Sequence, residues 1–329
     1  MTFIVSLRIT GPDLSIFFNA MKPTYISDIH DSHYDFGHGS RLVYGCSGLG
    51  GVWGTTNYEE SVDCLLYAFE NGISALDTSP SYNESEKVVG KALAKWKGPR
   101  PFISTKVGRL KSSDAHKTIV DYSPERMRRS VLESLDTLGV DQVDLLFLHE
   151  PYLVPLDRIR EVLETLHGFV DSGYCRMLGV GGNPTDEFRP YITKENFQVV
   201  SGFLKLDACN FSAFDRDIPH IEREQVAYYA ASALHFSLLG NRYEQFVQCP
   251  PNDGWISAQD IHNAQLIKAI AYREGMKLSS LAQRFLFSTR QANRVVMGAR
   301  NIDQIESTLQ DWKAGVLSQS LFDEVVAVI

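Results

Sequence analysis

From Arg41 onward, short apolar runs alternate with longer segments in which apolar side chains recur at helical spacing. Residues 42–46, 73–77, 102–106, 143–148, 175–180, 203–208, 226–231 and 294–297 read as strands. Residues 57–70 read as a helix, with Val62, Leu65, Leu66 and Phe69 on one stripe, and Asn71-Gly72 ends it. Further helices are expected over 84–96, 124–138, 156–171, 259–274, 278–287 and 302–312. Ser123-Pro124 opens the second of these as an N-cap followed by proline at the first helical position. Strands that alternate with helices imply a parallel sheet, and eight such units suit a closed (β/α)₈ barrel of the TIM type better than an open doubly wound sheet. The stretch 240–257, with Pro250, Pro251, Asn252, Gly254 and Trp255, reads as a long loop over the barrel mouth. Residues 1–40 are poorly periodic and rich in His, Asp and Ser, so they read as an N-terminal extension or cap, with 41–329 as a single barrel catalytic domain.

Composition narrows the class. The chain is 44% hydrophobic and 22% charged, enough to build a large core. A net charge of −8 gives no basic footprint for nucleic acid and is read as solubility. No apolar run reaches the ~18 residues of a membrane span, and the N-terminus lacks a basic region and a cleavage site, so neither a membrane association nor a secretory signal is expected. Cys46, Cys64, Cys175, Cys209 and Cys249 are odd in number and scattered, which suits reduced thiols in the cytoplasm. A monomer or weak homo-oligomer is expected, with no metal site.

Active sites of such barrels sit at the C-terminal ends of the strands. There the sequence presents Asp77 after the second strand, Tyr82 five residues on, Lys106 at the third and His149 at the fourth. Reduction of a carbonyl needs a proton donor to the developing alkoxide, and a free phenol, with pKa ~10, is a poor one near neutrality. A neighbouring ammonium lowers that pKa, a carboxylate holds the ammonium charged, and an imidazole can orient the carbonyl oxygen. Tyr82 is therefore read as general acid/base, Lys106 as its electrostatic tuner, Asp77 as the anchor of Lys106, and His149 as substrate orienter. Each alone has a plain structural explanation; their coincidence at successive strand tips does not.

At these residues the chain resembles the aldo-keto reductase superfamily, through Leu76-Asp77-Thr78-Ser79-Pro80-Ser81-Tyr82, Ser104-Thr105-Lys106-Val107-Gly108-Arg109 and Leu148-His149-Glu150-Pro151. The segments 85–93 and 123–135 and the turn Gly298-Ala299-Arg300-Asn301 also match. The resemblance implies hydride transfer between NADP or NAD and a small carbonyl or sugar, without a Rossmann fold. It carries the catalytic tetrad onto Asp77, Tyr82, Lys106 and His149. It implies cofactor contacts from Gly50 and Gly51 in the first loop, Asp77, Gly181 and Gly182 after the fifth strand, Ser232 and Leu234 after the seventh, and Gly298, Arg300 and Gln304 in the last turn. The chain departs from the common pattern in three places. Gly181-Gly182 stands where Ser-Asn is usual, Ala231-Ser232-Ala233-Leu234 lacks the stacking Tyr, and Gly298 replaces a frequent Lys. These departures resemble the branch of L-galactose and D-arabinose dehydrogenases, for which oxidation of an aldose to a lactone is the implied direction. Trp53, His235, Phe236, Tyr243 and Trp255 are expected to line the substrate pocket. A cofactor-binding regulatory subunit, or a lyase or isomerase on the same scaffold, is the alternative.

Overall fold

The computed structural model describes residues 21–114, 117–251 and 254–329. Residues 1–20 of the expected extension, and Asn252 of the expected loop, lie outside them. Eight parallel strands close a barrel in sequence order, β1 Leu42–Gly45, β2 Ala75–Asp77, β3 Phe102–Val107, β4 Val143–His149, β5 Cys175–Gly181, β6 Val199–Phe203, β7 Ala227–Ala231 and β8 Arg294–Gly298, and β8 pairs back onto β1. Around it run α1 Tyr58–Glu70, α2 Ser85–Lys95, α3 Pro124–Leu138, α4 Ile159–Asp171, α5 Asp217–Glu224, α6 Tyr243–Gln248, α7 Ala258–Arg273, α8 Leu278–Phe287, α9 Ile302–Ala314 and α10 Gln319–Val328. The Asn57 side chain accepts from the amides of Glu59 and Glu60 and so caps α1. Ser123 occupies the N-cap of α3, but its side chain makes no capping bond.

Two expectations need correction. The sixth strand is 199–203, not 203–208. Leu204 takes a left-handed φ of 57°, which turns the chain out of the sheet just where the expected strand would begin. The connection from β5 to β6 carries a short 3₁₀ turn, Arg189–Tyr191, in place of an α-helix.

The strand period of two sorts side chains into two layers. Outward residues such as Leu42, Leu76, Ile103, Leu146 and Val180 join the large core between barrel and helices. Inward residues Val43, Ala75, Phe102, Leu145, Phe147, Val199, Ala227, Tyr229 and Val296 fill the barrel itself. The segment before β1 closes the floor. Phe36 enters this inner cluster, with Tyr34 packed against it, and the Arg294 guanidinium lies 4.2 Å over the Phe36 ring and 4.0 Å over Phe102. Arg294 also donates to the Tyr229 hydroxyl and the His38 carbonyl, so a buried charge is satisfied on every side. With the floor plugged, the other end of the strands is left as the open mouth.

Candidate active site

The inward period that buries Ala75, Phe102 and Phe147 continues two or four residues on to Asp77, Lys106 and His149. All three are buried at the C-terminal tips of β2, β3 and β4. The Lys106 Nζ donates to Asp77 Oδ2 at 2.5 Å and to the Thr78 carbonyl at 2.9 Å. Ser104 Oγ donates to Asp77 Oδ1 at 2.9 Å, so both carboxylate oxygens are occupied. Tyr82 ends a 3₁₀ turn, Pro80–Tyr82, and keeps part of its surface open to solvent. Its ring centroid lies 4.9 Å from Lys106 Nζ and 6.1 Å from the His149 ring, which stands perpendicular to it. The structure thus brings the four residues together around one point.

Electrostatics gives each a defined state. Burial pushes the Tyr82 phenol upward, Lys106 pulls it down through charge and hydrogen bonding, and the net shift is upward. Burial alone would lower Lys106, but Asp77 and the Tyr82 hydroxyl outweigh it and hold the amine above its ordinary value. Burial, then the positive charges of Lys106 and Arg109, drives His149 well below the usual imidazole range, so it is neutral at pH 7.

Several residues that the sequence reading left without a role hold this group in place. Ser79 Oγ lies 3.4 Å from His149 Nδ1 and accepts from the Ser81 amide. The Tyr122 hydroxyl donates to the carbonyls of His149 and Glu150, at 2.7 and 3.0 Å. Arg109 Nη1 donates to Glu150 Oε1 at 2.7 Å, and that oxygen is 3.9 Å from His149 Nε2. Ser79, Arg109 and Glu150 stand inside the recognisable motifs; nothing in the sequence singles out Tyr122, which meets β4 only through the fold.

Besides Asp77, the expected cofactor residues fall into four groups. Gly50 is buried against the Tyr82 turn, where a Cβ would come within 1.9 Å of the Tyr82 carbonyl, and its own carbonyl accepts from the Glu84 amide. It therefore positions Tyr82, and Gly51 beside it begins a turn at φ 81°. Gly181 pairs in register with His149, and Gly182 adopts φ 119°, a conformation that favours glycine. Asn183, next in line, uses its whole amide on the backbone of Phe203, accepting from its N–H and donating to its carbonyl. Gly298 is an open ledge at the tip of β8: a Cβ there would meet nothing nearer than 3.9 Å. Arg300 follows at the N-terminus of α9, exposed, with its amide donating to Gln304 Oε1 and its guanidinium to the Thr55 carbonyl. Ser232 lies at the tip of β7 with φ 63°, and Leu234 packs partly into the core.

Of the expected pocket residues, Trp53, Phe236 and Trp255 do converge. Trp53 lies 5.2 Å from Phe236 and 6.0 Å from Trp255, and Phe236 lies 5.1 Å from Trp255, all edge to face. Phe203, not expected there, joins them 5.7 Å from Trp255. His235 does not line the pocket. It is fully buried, with Nδ1 2.7 Å from Asp207 Oδ2 and Nε2 3.5 Å from Asp260 Oδ2. Its left-handed backbone, φ 45°, turns the ring inward while Phe236 faces the cluster. Tyr243 instead packs under Lys268, whose Nζ is 3.9 Å from its ring centroid.

A plugged parallel barrel with Asp, Tyr, Lys and His at one rim defines an oxidoreductase enzyme of the aldo-keto type. Residues 41–329 match the model of the aldo/keto reductase family, and the chain belongs to that family. It is 29% identical to L-galactose dehydrogenase of Arabidopsis thaliana over 304 residues, covering 88% of this chain and 90% of the relative. It is 28% identical to D-arabinose 1-dehydrogenase of Saccharomyces cerevisiae, covering 85% of each. Among solved structures, the glycerol dehydrogenase of Gluconobacter oxydans superposes with a TM-score of 0.72 at 25% identity, covering 88% of this chain and 91% of that one. Membership makes the chain a nicotinamide-dependent oxidoreductase of sugar or aldehyde substrates. No helix among the described residues is long and apolar enough to cross a membrane.

Proposed function

We propose that this enzyme oxidises an aldose at its anomeric carbon, with Tyr82 as the group that takes the hydroxyl proton. A bound nicotinamide cofactor would supply the hydride acceptor for that carbon, or the hydride donor in the reverse direction. The observation that carries the reading is the junction of Tyr82, Lys106 and Asp77: an ammonium fixed by a carboxylate at 2.5 Å lies beside the only phenol of the group. As the Tyr82 proton leaves, the Lys106 charge stabilises the phenolate; in reduction the same phenol returns the proton to the alkoxide. We assign neutral His149 the tautomer with its proton on Nε2, Nδ1 lying 3.4 Å from the Ser79 hydroxyl, so that Nε2 can donate to the substrate oxygen. The aromatic group of Trp53, Phe203, Phe236 and Trp255 excludes water and offers faces to the apolar side of a sugar ring.

For the cofactor, the residues present fit. The Gly298 ledge leaves the β8 tip clear, and α9 offers a helix N-terminus with Arg300 beside it, which suits phosphate groups. Gly181, Gly182, Ser232 and Leu234 line the adjoining strand tips. Arg300 can grip an adenosine phosphate in a fork, so NADP is the first candidate and NAD the second.

The test is a panel of L-galactose, D-arabinose, other aldoses and simple aldehydes, assayed with NADP and with NAD by absorbance at the reduced nicotinamide band. Turnover of at least one aldose is expected. Tyr82→Phe is expected to lose about 10²-fold or more in kcat while cofactor binding, followed by fluorescence, persists. Wild-type turnover in that variant would remove Tyr82 from the mechanism. Cofactor binding without turnover of any substrate would favour a regulatory role.

A further inference from the structure

We propose that Glu150, held by Arg109, selects substrates that carry a hydroxyl on the carbon next to the reacting one. This inference rests on the aldose reading above and deepens it. Four observations carry it. Glu150 Oε1 lies 3.9 Å from His149 Nε2, the nitrogen that faces the substrate oxygen in that reading. The carboxylate also contributes to raising the Tyr82 phenol, after burial, Lys106 and Asp77. Glu150 sits at the end of β4 with a left-handed φ of 58°, a conformation uncommon for a residue with a side chain, and Tyr122 fixes that turn by donating to the backbone carbonyls of His149 and Glu150. The Arg109 Nη1 bond at 2.7 Å fixes the direction of the carboxylate, and both side chains are largely buried, 13% and 14% exposed.

The chemistry follows from what a carboxylate can do. It only accepts hydrogen bonds, and each oxygen has two lone pairs. Arg109 donates to Oε1 and the Tyr152 hydroxyl to the same carboxylate, which leaves acceptor capacity for a substrate hydroxyl that enters beside His149 Nε2, 3.9 Å from Oε1. In an aldose the oxygens on the reacting carbon and its neighbour are adjacent. When the first meets Tyr82 and His149, the second meets Glu150 and donates to it. A substrate lacking that hydroxyl leaves the carboxylate with Arg109 and Tyr152 but sets a C–H group against its remaining acceptor position, the arrangement by which a polar site rejects the analogue without its partner. Arg109 has a second effect. Its positive charge, after burial and Lys106, lowers His149 and helps to keep the ring neutral.

The experiment compares kcat/KM for D-arabinose against its 2-deoxy counterpart, and for L-galactose against 2-deoxy-L-galactose, in the wild-type enzyme, Glu150→Gln and Glu150→Ala. The wild-type enzyme is expected to prefer the hydroxylated sugar by about tenfold or more, the scale of a hydrogen bond to a charged group. The preference should fall to within about threefold in Glu150→Ala and to an intermediate value in Glu150→Gln, which retains an acceptor oxygen. Cofactor titration by tryptophan fluorescence shows whether each variant is folded. A preference unaltered in both folded variants, or no preference in the wild-type enzyme, overturns the role of Glu150 and leaves the aldose reading standing. No turnover of any of the four sugars by the wild-type enzyme overturns both. If neither variant folds, Arg109→Lys replaces them. It keeps the charge but loses the planar guanidinium whose Nη1 fixes Glu150 Oε1, and it should reduce the preference; an unchanged one overturns the proposal.

Discussion

Lys106 is the residue on which the site turns. A buried ammonium with no partner would shed its proton, but Asp77 and the Tyr82 hydroxyl reverse that tendency and keep it charged. Its charge is spent on Tyr82, whose phenol burial would otherwise push further upward. The net upward shift has a consequence for rate. Oxidation needs Tyr82 deprotonated, so kcat for aldose oxidation should rise as pH climbs from 7 toward 10, while reduction, which needs the phenol, should stay nearly level over the same range and fall only above it. A pH series in both directions checks this, and a flat oxidation profile would speak against Tyr82 as the base. At this scale the tetrad was legible because strand periodicity puts every second residue inside, and the last inward positions of three successive strands are polar. The Arg109–Glu150 pair was not legible, since it joins the loops after β3 and β4 and nothing local marks the two as partners.

Among the elements, the loop that follows β7 carries the most conformational tension. Ser232, His235, Phe236 and Ser237 all have positive φ. Their anchor is the His235 ring between Asp207 and Asp260. Asp260 also accepts from the amide and hydroxyl of Ser257, two residues after Trp255. One buried cation therefore fixes the approach of both Phe236 and Trp255 to the aromatic group. Burial opposes the His235 charge, but Asp207 and then Asp260 outweigh it and raise its pKa to about 10. Because the folded value lies above the unfolded one, of about 6.5, the stabilisation is complete below that pH and is lost as pH rises through about 10. His235→Asn should lower stability at pH 7 by about 3–5 kcal/mol and flatten the decline between pH 7 and 10, measured by urea denaturation. An unchanged slope would contradict the anchor. His235 was grouped with the aromatics of the barrel mouth, and the positive φ values at 232 and 235–237 make a turn whose side-chain directions no regular period foretells. The shifted β6 has a similar origin. Ser201-Gly202 interrupts its apolar run, and a Cβ at Gly202 would fall within 1.8 Å of the Tyr228 hydroxyl, so packing demands the residue that weakens the pattern. The helices α5 and α6 were not foreseen because they are short, and α5 contains Pro219.

In the whole molecule, the two ends of the barrel are treated differently. The floor is sealed by Phe36, Tyr34 and the stacked Arg294, and the mouth carries the charged and aromatic groups. The cap over 21–40 was legible as an extension, but not as a floor plug, because a segment without periodicity gives no direction to its side chains. Phe36→Ala should destabilise the fold by about 3–5 kcal/mol and uncover the Arg294 guanidinium, while the rim geometry, far along the strands, is retained. Urea denaturation with a kcat measurement on the folded fraction separates the two; a loss below about 1 kcal/mol would show that the plug is dispensable.

The central claim is that a proton leaves to Tyr82 while hydride passes directly between sugar carbon and cofactor. The most direct measurement uses an aldose deuterated at its anomeric carbon together with oxidised cofactor, with the products read by NMR. The account predicts that the deuterium appears at C4 of the nicotinamide ring as the lactone forms. Product formed with the label still on the sugar, or released to water, would contradict it.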